Sequence, residues 1–229
     1  MTPFALRELH RAHSVGDVID PPDGALDDLF LAGAGFRIRS DGRLLKVDTL
    51  ADSVGTDMTL LLVGLNPSPA AAATGIGFAG PGNRFWPAAV AAGIISVPRD
   101  PDHALAHHGV GMSDLVKRVT TRAAEVSRSE FGVGATRVES MVERLRPHVV
   151  CMVGLSGWRA ARDRRAVAGW QTARFGGRPL YVMPNPSGLN AGVSLGELSD
   201  HFATAAAGPA GAPTGERTPR ANAPGGELA

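Results

Sequence analysis

The chain has little cysteine, little net charge and no long apolar run. Cys151 is the only cysteine among 229 residues, which excludes an intramolecular disulfide and an iron–sulfur cluster held by four cysteines. It stands in an apolar run, so we expect a buried core thiol. The net charge is +1, so a polyanionic partner would have to meet locally grouped basic residues.

Two further absences limit the class of protein. No apolar run is long enough to span a bilayer, and the N-terminus lacks the apolar stretch of a secretion signal. We therefore expect no membrane partner and a cytoplasmic protein. The seven histidines show no metal-ligand spacing, so neither a metal nor another cofactor is expected.

Apolar runs alternate with helical patterns from Met58 onward. Buried strands are predicted over residues 58–64, 148–154 and 180–183, and helices between them. Fully apolar strands that alternate with helices indicate an α/β fold, a three-layer α/β/α sandwich with a mostly parallel central sheet.

Helix ends are predicted from capping residues. Ser156 is predicted to cap a helix that runs to Arg165, and Ser194 with Glu197 forms a capping box for the last helix. Residues 113–117 are predicted as a capped turn. One helix face is marked by apolar residues at helical spacing before Pro147: Val138, Met141, Val142 and Leu145.

Three regions follow from this pattern. Residues 1–52 are an N-terminal extension with a short helix over 25–31 and a possible hairpin around the Asp41-Gly42 turn. Residues 53–206 form the main domain. Residues 207–229 are rich in Ala, Gly and Pro, and we expect a disordered tail because they have almost no large apolar residue to bury.

Two loops each begin with an amide side chain directly after an apolar run. Residues 64–67 read Gly-Leu-Asn-Pro, and residues 185–190 read Asn-Pro-Ser-Gly-Leu-Asn. Ligands of open α/β sheets bind beyond the carboxyl ends of the strands, so both loops can face one pocket.

Asn66, in the first loop, is a candidate for positioning water. An amide is a poor base, but its carbonyl oxygen can accept a proton from water and orient a lone pair. That suffices when the electrophile is as reactive as an oxocarbenium-like sugar. Alternatively, Asn66 only caps the loop that follows it.

Three more residues are candidates for ligand contacts. Phe78 lies among glycines, where its ring can stack on a planar ligand or fold back under the loop. Arg84 can reach a phosphate or brace the loop, whereas Phe85 and Trp86 are predicted to be core. Leu189 can enter a base stack as an apolar wedge or pack against the last helix.

Asp114 is a second catalytic candidate. A carboxylate beside the sugar could stabilise an oxocarbenium ion or activate water better than an amide can. The competing interpretation is that Ser113 or Asp114 caps a helix.

Four segments in order, residues 64–67, 74–78, 81–86 and 185–190, resemble the mismatch-specific uracil-DNA glycosylase/thymine-DNA glycosylase family. The similarity covers residues 58–202, and the ordered set is specific although each motif alone is weak. This chain departs from the family at Ser68-Pro69, where members of the family commonly have Gly-Leu.

The resemblance implies a monofunctional enzyme that excises a mismatched or damaged base from double-stranded DNA. It implies that Asn66 positions the water, that Phe78 stacks on the flipped base, and that the backbone at Leu65 and Phe78 reads the uracil edge. We also expect a nucleoid-associated monomer. The resemblance also implies two kinds of DNA contact. Asn185 and Ser187 would hold backbone phosphates, and Gly188, Leu189 and Asn190 would form a wedge that fills the space left by the flipped base.

Two other functions stay open at this point. One is a DNA-lesion binder without turnover. The other is a nucleotide-binding α/β protein for a small ligand, although the chain has no Gly-x-Gly-x-x-Gly opening a helix and no Walker lysine.

Overall fold

The computed structural model describes residues 1–23, 27–188, 190 and 192–210. Its N-terminal part contains two helices and a small antiparallel sheet of order β1-β3-β2. The elements are α1 (Pro3–Arg11), β1 (Val18–Ile19), α2 (Asp28–Ala34), β2 (Phe36–Ile38) and β3 (Leu44–Lys46). The helix predicted over 25–31 begins at Asp28, and residues 24–26 lie outside the described part. The domain boundaries predicted at residues 52 and 206 stay a prediction.

The main sheet has five strands in the described residues, in the order β5-β4-β6-β8-β7. The first four are parallel, and β7 is antiparallel to β8. The strands are β4 (Leu60–Gly64), β5 (Val110–Asp114), β6 (Val149–Val153), β7 (Gly169–Trp170) and β8 (Leu180–Met183). The helices are α3 (Pro69–Thr74), α4 (Phe85–Ala91), α5 (Pro101–His108), α6 (Arg128–Leu145), α7 (Leu155–Ala161) and α8 (Leu195–Ala207).

Alternate residues of each strand face opposite helical layers. Leu61 and Val63 join a core with α6 and α7, whereas Leu60 and Leu62 join a core with α4, α5 and α8. The predicted three-layer α/β/α sandwich is therefore confirmed. Cys151 is fully buried, and burial raises the pKa of its thiol. No helix in the described residues has the length and apolar character needed to cross a bilayer.

Three local predictions are wrong. Residues 113–117 are not a capped turn, because Val110–Asp114 is β5, so neither Ser113 nor Asp114 caps a helix. The strand is hidden in the sequence because one of its faces carries the small residues Gly111 and Ser113, although Val110 and Met112 on the other face are core. Ser156 does not cap α7, whose N-cap position is Gly154.

The capping box of Ser194 and Glu197 is confirmed at α8. That helix extends to Ala207, one residue into the predicted tail. Residues 211–229 of that tail lie outside the described part of the chain.

Strand order places a switch point beside β4. The chain passes from β4 to β5 on one side and returns to β6 on the other. All four parallel strands end at the same edge, and ligands bind at such a point in open sheets.

A buried carboxylate joins the N-terminal part to this edge. Asp52 accepts hydrogen bonds from Ser113 Oγ and Lys117 Nζ, both at 2.8 Å, and from Arg137 Nη1 at 2.9 Å. Burial raises the pKa of Asp52, but the charges of Lys117 and Arg137 outweigh it and hold the pKa below its usual value. The ion pairs therefore link residue 52, β5 and α6.

Removing this carboxylate should destabilise the protein strongly. In Asp52→Ala the cations of Lys117 and Arg137 lose their buried partner, and we expect the free energy of unfolding to fall by about 3–5 kcal/mol. Urea unfolding at pH ~7 measures the change. Asp41→Ala is the control, since Asp41 pairs with Arg39 at the surface and its loss should change little. Equal effects of the two substitutions would contradict the role of Asp52.

Candidate active site

Asn66 lies just beyond β4, half-buried, and its amide orientation is fixed. Its Nδ2 donates to Pro67 O at 3.1 Å and to Thr120 Oγ1 at 2.7 Å. Pro67 O can only accept, and the Thr120 hydroxyl donates its own proton to Arg122 O at 2.9 Å. Both partners therefore require the NH₂ group on their side.

This orientation leaves the Asn66 carbonyl oxygen as the available group. Oδ1 accepts no hydrogen bond from any of the residues that the structure describes. The cap of α3 is formed by Ser68, which accepts from Ala71 N. Asn66 is thus not used to cap that helix, and its geometry suits acceptance of a proton from water.

Gly64 ends β4 and lets two other predicted residues meet. A methyl group at Gly64 would lie 2.4 Å from Asp114 Oδ1 and 3.2 Å from Phe78 Cζ. Asp114 is the register partner of Gly64 in the neighbouring strand. A side chain at position 64 would therefore push the carboxylate and the ring apart.

The Asp114 carboxyl group is buried and poorly solvated. Its backbone oxygen accepts from Arg137 Nη2 at 2.6 Å, but its carboxylate oxygens accept no hydrogen bond within the described residues. Burial, with a smaller repulsion from Asp52, raises the pKa of Asp114 to about 6, against the lowering effect of Lys117 and Arg137. A carboxylate with such a pKa can accept and release a proton near neutral pH.

Phe78 is held at this site by α4. One face of its ring stacks on Phe85, with 3.9 Å between centroids and 5° between planes. Trp86 Nε1 donates to Gly77 O at 2.9 Å, which fixes the backbone just before Phe78. Phe85 and Trp86 are themselves core, as predicted. Phe78 has φ of +58°, a conformation that costs a non-glycine residue energy and is often found at functional sites.

Phe78 and Asp114 line a small cavity together. Its volume is about 20 Å³, enough for a single water and far too small for a pyrimidine ring. Leu50, Ala51 and Asp52 form the opposite wall. The end of the N-terminal extension is therefore part of the site.

Leu65 and Asn66 do not line this cavity. The Leu65 side chain is 9% exposed and belongs to the core between the sheet and α6. Its carbonyl accepts from Val116 N at 2.9 Å, whereas within the described residues neither the Leu65 N–H nor the Phe78 N–H donates a hydrogen bond. Both donors are thus available for a ligand.

The second predicted loop is tied to Arg84 rather than to Asn66. The Arg84 guanidinium donates to the carbonyl oxygens of Asn190 at 2.6 Å, Ser187 at 3.4 Å and Val193. Of the two alternatives for Arg84, the structure shows the bracing role. A methyl group at Gly188 would lie 2.7 Å from Gly82 O, so the two loops touch.

Side chains within this loop also hold one another. Asn185 Oδ1 accepts from Ser187 N, and Asn190 Nδ2 donates to Asn185 O, both at 2.9 Å. Leu189, the predicted wedge, lies outside the described residues. The roles predicted for this loop in DNA binding stay predictions.

Sequence reasoning missed Thr120, Asp52 and Leu50. Thr120 and Asp52 meet their partners from more than fifty residues away, and Leu50 lines the cavity with the distant residues Phe78 and Asp114. No local pattern marks such contacts. A group of three His, Cys, Asp or Glu side chains that could hold a metal is absent from the described residues.

Comparison with known proteins identifies the family. The solution NMR structure of a "putative Uracil DNA glycosylase" from Methanosarcina acetivorans is similar to this chain, with 18% identity and a TM-score of 0.48. The similarity covers 69% of this chain and 96% of that one. The model of the uracil DNA glycosylase superfamily matches residues 52–207. That match spans well over half of the sequence, and the chain therefore belongs to the uracil DNA glycosylase superfamily.

Proposed function

We propose that this protein excises uracil from mismatched double-stranded DNA by hydrolysing the N-glycosidic bond, and that it leaves an abasic site. The observation that carries the proposal is the fixed amide of Asn66, whose free carbonyl oxygen stands at the carboxyl end of β4. Membership of the superfamily supports a glycosylase acting on uracil. Mismatch specificity rests on the four sequence motifs.

The target carbon C1′ is inaccessible in a stacked duplex, so the base must be flipped out. This costs a few kcal/mol, and least for a mismatched pair, which is one source of selectivity. The flipped uracil would stack on the Phe78 side of the site, which requires the small cavity there to widen, and the unused N–H groups of Leu65 and Phe78 would donate to its oxygens. These donors stabilise the negative charge that moves onto the leaving base.

The hydrolytic step uses both catalytic candidates. The C1′–N1 bond breaks with its electron pair going to uracil N1, and a water oxygen adds to C1′. Asn66 Oδ1 accepts one water proton as a hydrogen bond and orients the water. The Asp114 carboxylate takes the proton that the water loses and releases it to solvent, and the uracil anion takes a proton from solvent.

A lyase step is not part of the proposal. The chain has two lysines, and the Lys117 ammonium group is bound by the Asp52 carboxylate and by the Leu50 carbonyl. Lys46 lies in the N-terminal sheet. Neither is placed at the reacting carbon, so a Schiff base with the sugar is not expected.

For DNA contact we propose the loop of residues 185–190. Its attachment to Arg84 supports a rigid loop that meets the duplex. Asn185 and Ser187 would hold phosphates, and Gly188, Leu189 and Asn190 would fill the space left by the flipped base. The protein would act as a monomer in the cytoplasm.

The first prediction concerns Asn66. Asn66→Ala should lower the single-turnover rate of uracil release from a G·U duplex by about a hundredfold or more, because the water loses its orientation. Alkali cleavage of a labelled duplex measures abasic sites. Gln171→Ala is the control, since that amide is likewise held through its NH₂ group, in its case by two backbone carbonyls beside the far edge strand. Tight binding of the wild type without product would instead favour a lesion binder, and neither binding nor product would favour a small-ligand protein.

The second prediction concerns pH. The wild-type rate should fall as pH drops below about 6, where Asp114 becomes protonated and can no longer accept the water proton. Asp114→Asn should be slower and flat over this range, whereas Asn66→Ala should be slower and keep the fall. Single-turnover rates from pH ~5 to ~8 measure this. An unchanged profile in Asp114→Asn would remove Asp114 from the mechanism.

The third prediction concerns Thr120 as a positioning residue. Thr120→Val removes the acceptor that holds Asn66 Nδ2, so kcat should fall by up to about tenfold, the value of one hydrogen bond, with KM little changed. Thr120→Ser keeps the hydroxyl and should restore the rate. A valine variant with an altered KM and wild-type kcat would argue against this role.

A further inference from the structure

A second, larger cavity lies between the N-terminal part and the main domain. Its volume is about 220 Å³. Four basic side chains line one side: Arg7, His10, Arg11 and Lys46. Residues 72–75 and 49–51 line the other, and no carboxylate of the described residues is part of the lining. The cavity is thus basic and chemically distinct from the cavity at Asp114.

Within the described residues, Arg7 and Arg11 form ion pairs, whereas Lys46 forms none. Arg7 and Arg11 share the carboxylate of Asp102, and Arg11 also pairs with Glu8. Lys46 is 8% exposed and donates to His13 O. The carboxylates of Asp17 and Asp48 stabilise its charge from a distance, but within the described residues neither forms an ion pair with its ammonium group. A buried cation without a paired anion is costly, so the site would gain from a bound negative charge.

His10 lines the same cavity but adds no charge to it. It is 8% exposed, and its Nδ1 is buried without a hydrogen-bond partner. Burial, and then the charges of Lys46 and Lys117, lower the pKa of His10 to about 4. The imidazole is therefore neutral at pH 7, and the positive charges around it keep it so.

We propose that this cavity binds a phosphate group, and that a backbone phosphodiester of the DNA substrate supplies it. Its volume is below the roughly 300 Å³ at which pockets for drug-sized ligands begin, and suits a small anion. Arginine and lysine are the side chains that bind phosphate oxygens.

The position of the cavity favours DNA as the source. Leu50 and Ala51 form part of its wall and also part of the wall of the cavity at Asp114. A phosphate here would lie next to the reacting nucleotide. The DNA assignment rests on the proposed function, whereas binding of phosphate as such does not.

The test uses the full chain with Lys46→Gln and a matched control, Arg37→Gln. The Arg37→Gln substitution also removes one positive charge from the small N-terminal sheet, but Arg37 is exposed and does not line the cavity. Thermal unfolding is followed while inorganic phosphate replaces chloride at constant ionic strength. Phosphate should raise the Tm of the wild type and of Arg37→Gln, and should raise that of Lys46→Gln much less.

A second measurement tests the DNA assignment. Affinity for a duplex with 2′-fluorodeoxyuridine opposite guanine, which resists hydrolysis, is measured over a range of KCl concentrations. Each phosphate contact contributes about 0.9 to the slope of log K against log salt. Lys46→Gln should flatten that slope by about one, and Arg37→Gln should leave it unchanged.

The outcomes separate the possibilities. If Lys46→Gln loses both the Tm rise with phosphate and one unit of the salt slope, a DNA phosphate as the ligand is supported. If it loses the Tm rise alone, the DNA assignment is wrong and a free phosphate-bearing ligand is favoured. If phosphate raises the Tm of Lys46→Gln as much as that of the wild type, the proposed phosphate site is wrong. Should Lys46→Gln fail to fold, Arg11→Gln at the more exposed side of the cavity serves instead. If the protein releases no uracil but its stabilisation by phosphate still depends on Lys46, the proposed function is wrong and the phosphate site is still supported.

Discussion

The buried carboxylate of Asp52 is the constraint on which the site depends. It pairs with Lys117 and Arg137, accepts from Ser113 at the end of β5, and follows directly on the wall residues Leu50 and Ala51. It also repels the charge of Asp114 and so helps to raise the pKa of that carboxyl group. One carboxylate thus fixes the position of β5 and sets the electrostatics of its last residue.

The sequence predicted the fold because its strands and helices have strong local patterns. β4, β6 and β8 are apolar runs, and the box of Ser194 with Glu197 marks the start of α8. The pattern of β5 resembles a turn because Gly111 and Ser113 are typical turn residues and interrupt the apolar run between Val110 and Met112. Period and composition identify an element, but they do not show the neighbours that bury it.

The site was predicted in part for the same reason. Asn66 and Phe78 lie in motifs, Asp114 is a candidate through its carboxyl chemistry, and the structure places Phe78 and Asp114 together at Gly64. Thr120 lies in no motif, yet its hydroxyl decides which end of the Asn66 amide faces outward. Orientation of an amide depends on contacts between distant residues, so it needed the three-dimensional arrangement. The two catalytic candidates then have separable tasks, since one carries no charge and the other titrates near pH 6.

The short helix α4 holds both halves of the site. Phe85 and Trp86 fix the Phe78 loop from within the helix, and Arg84, just before it, holds the carbonyl oxygens of the second loop. The Phe78 ring and the second loop therefore share one support. In the course of evolution these two loops cannot change their spacing independently. A substitution in α4 that moves one loop is expected to move the other, so variation that affects the Phe78 side alone must arise outside this helix.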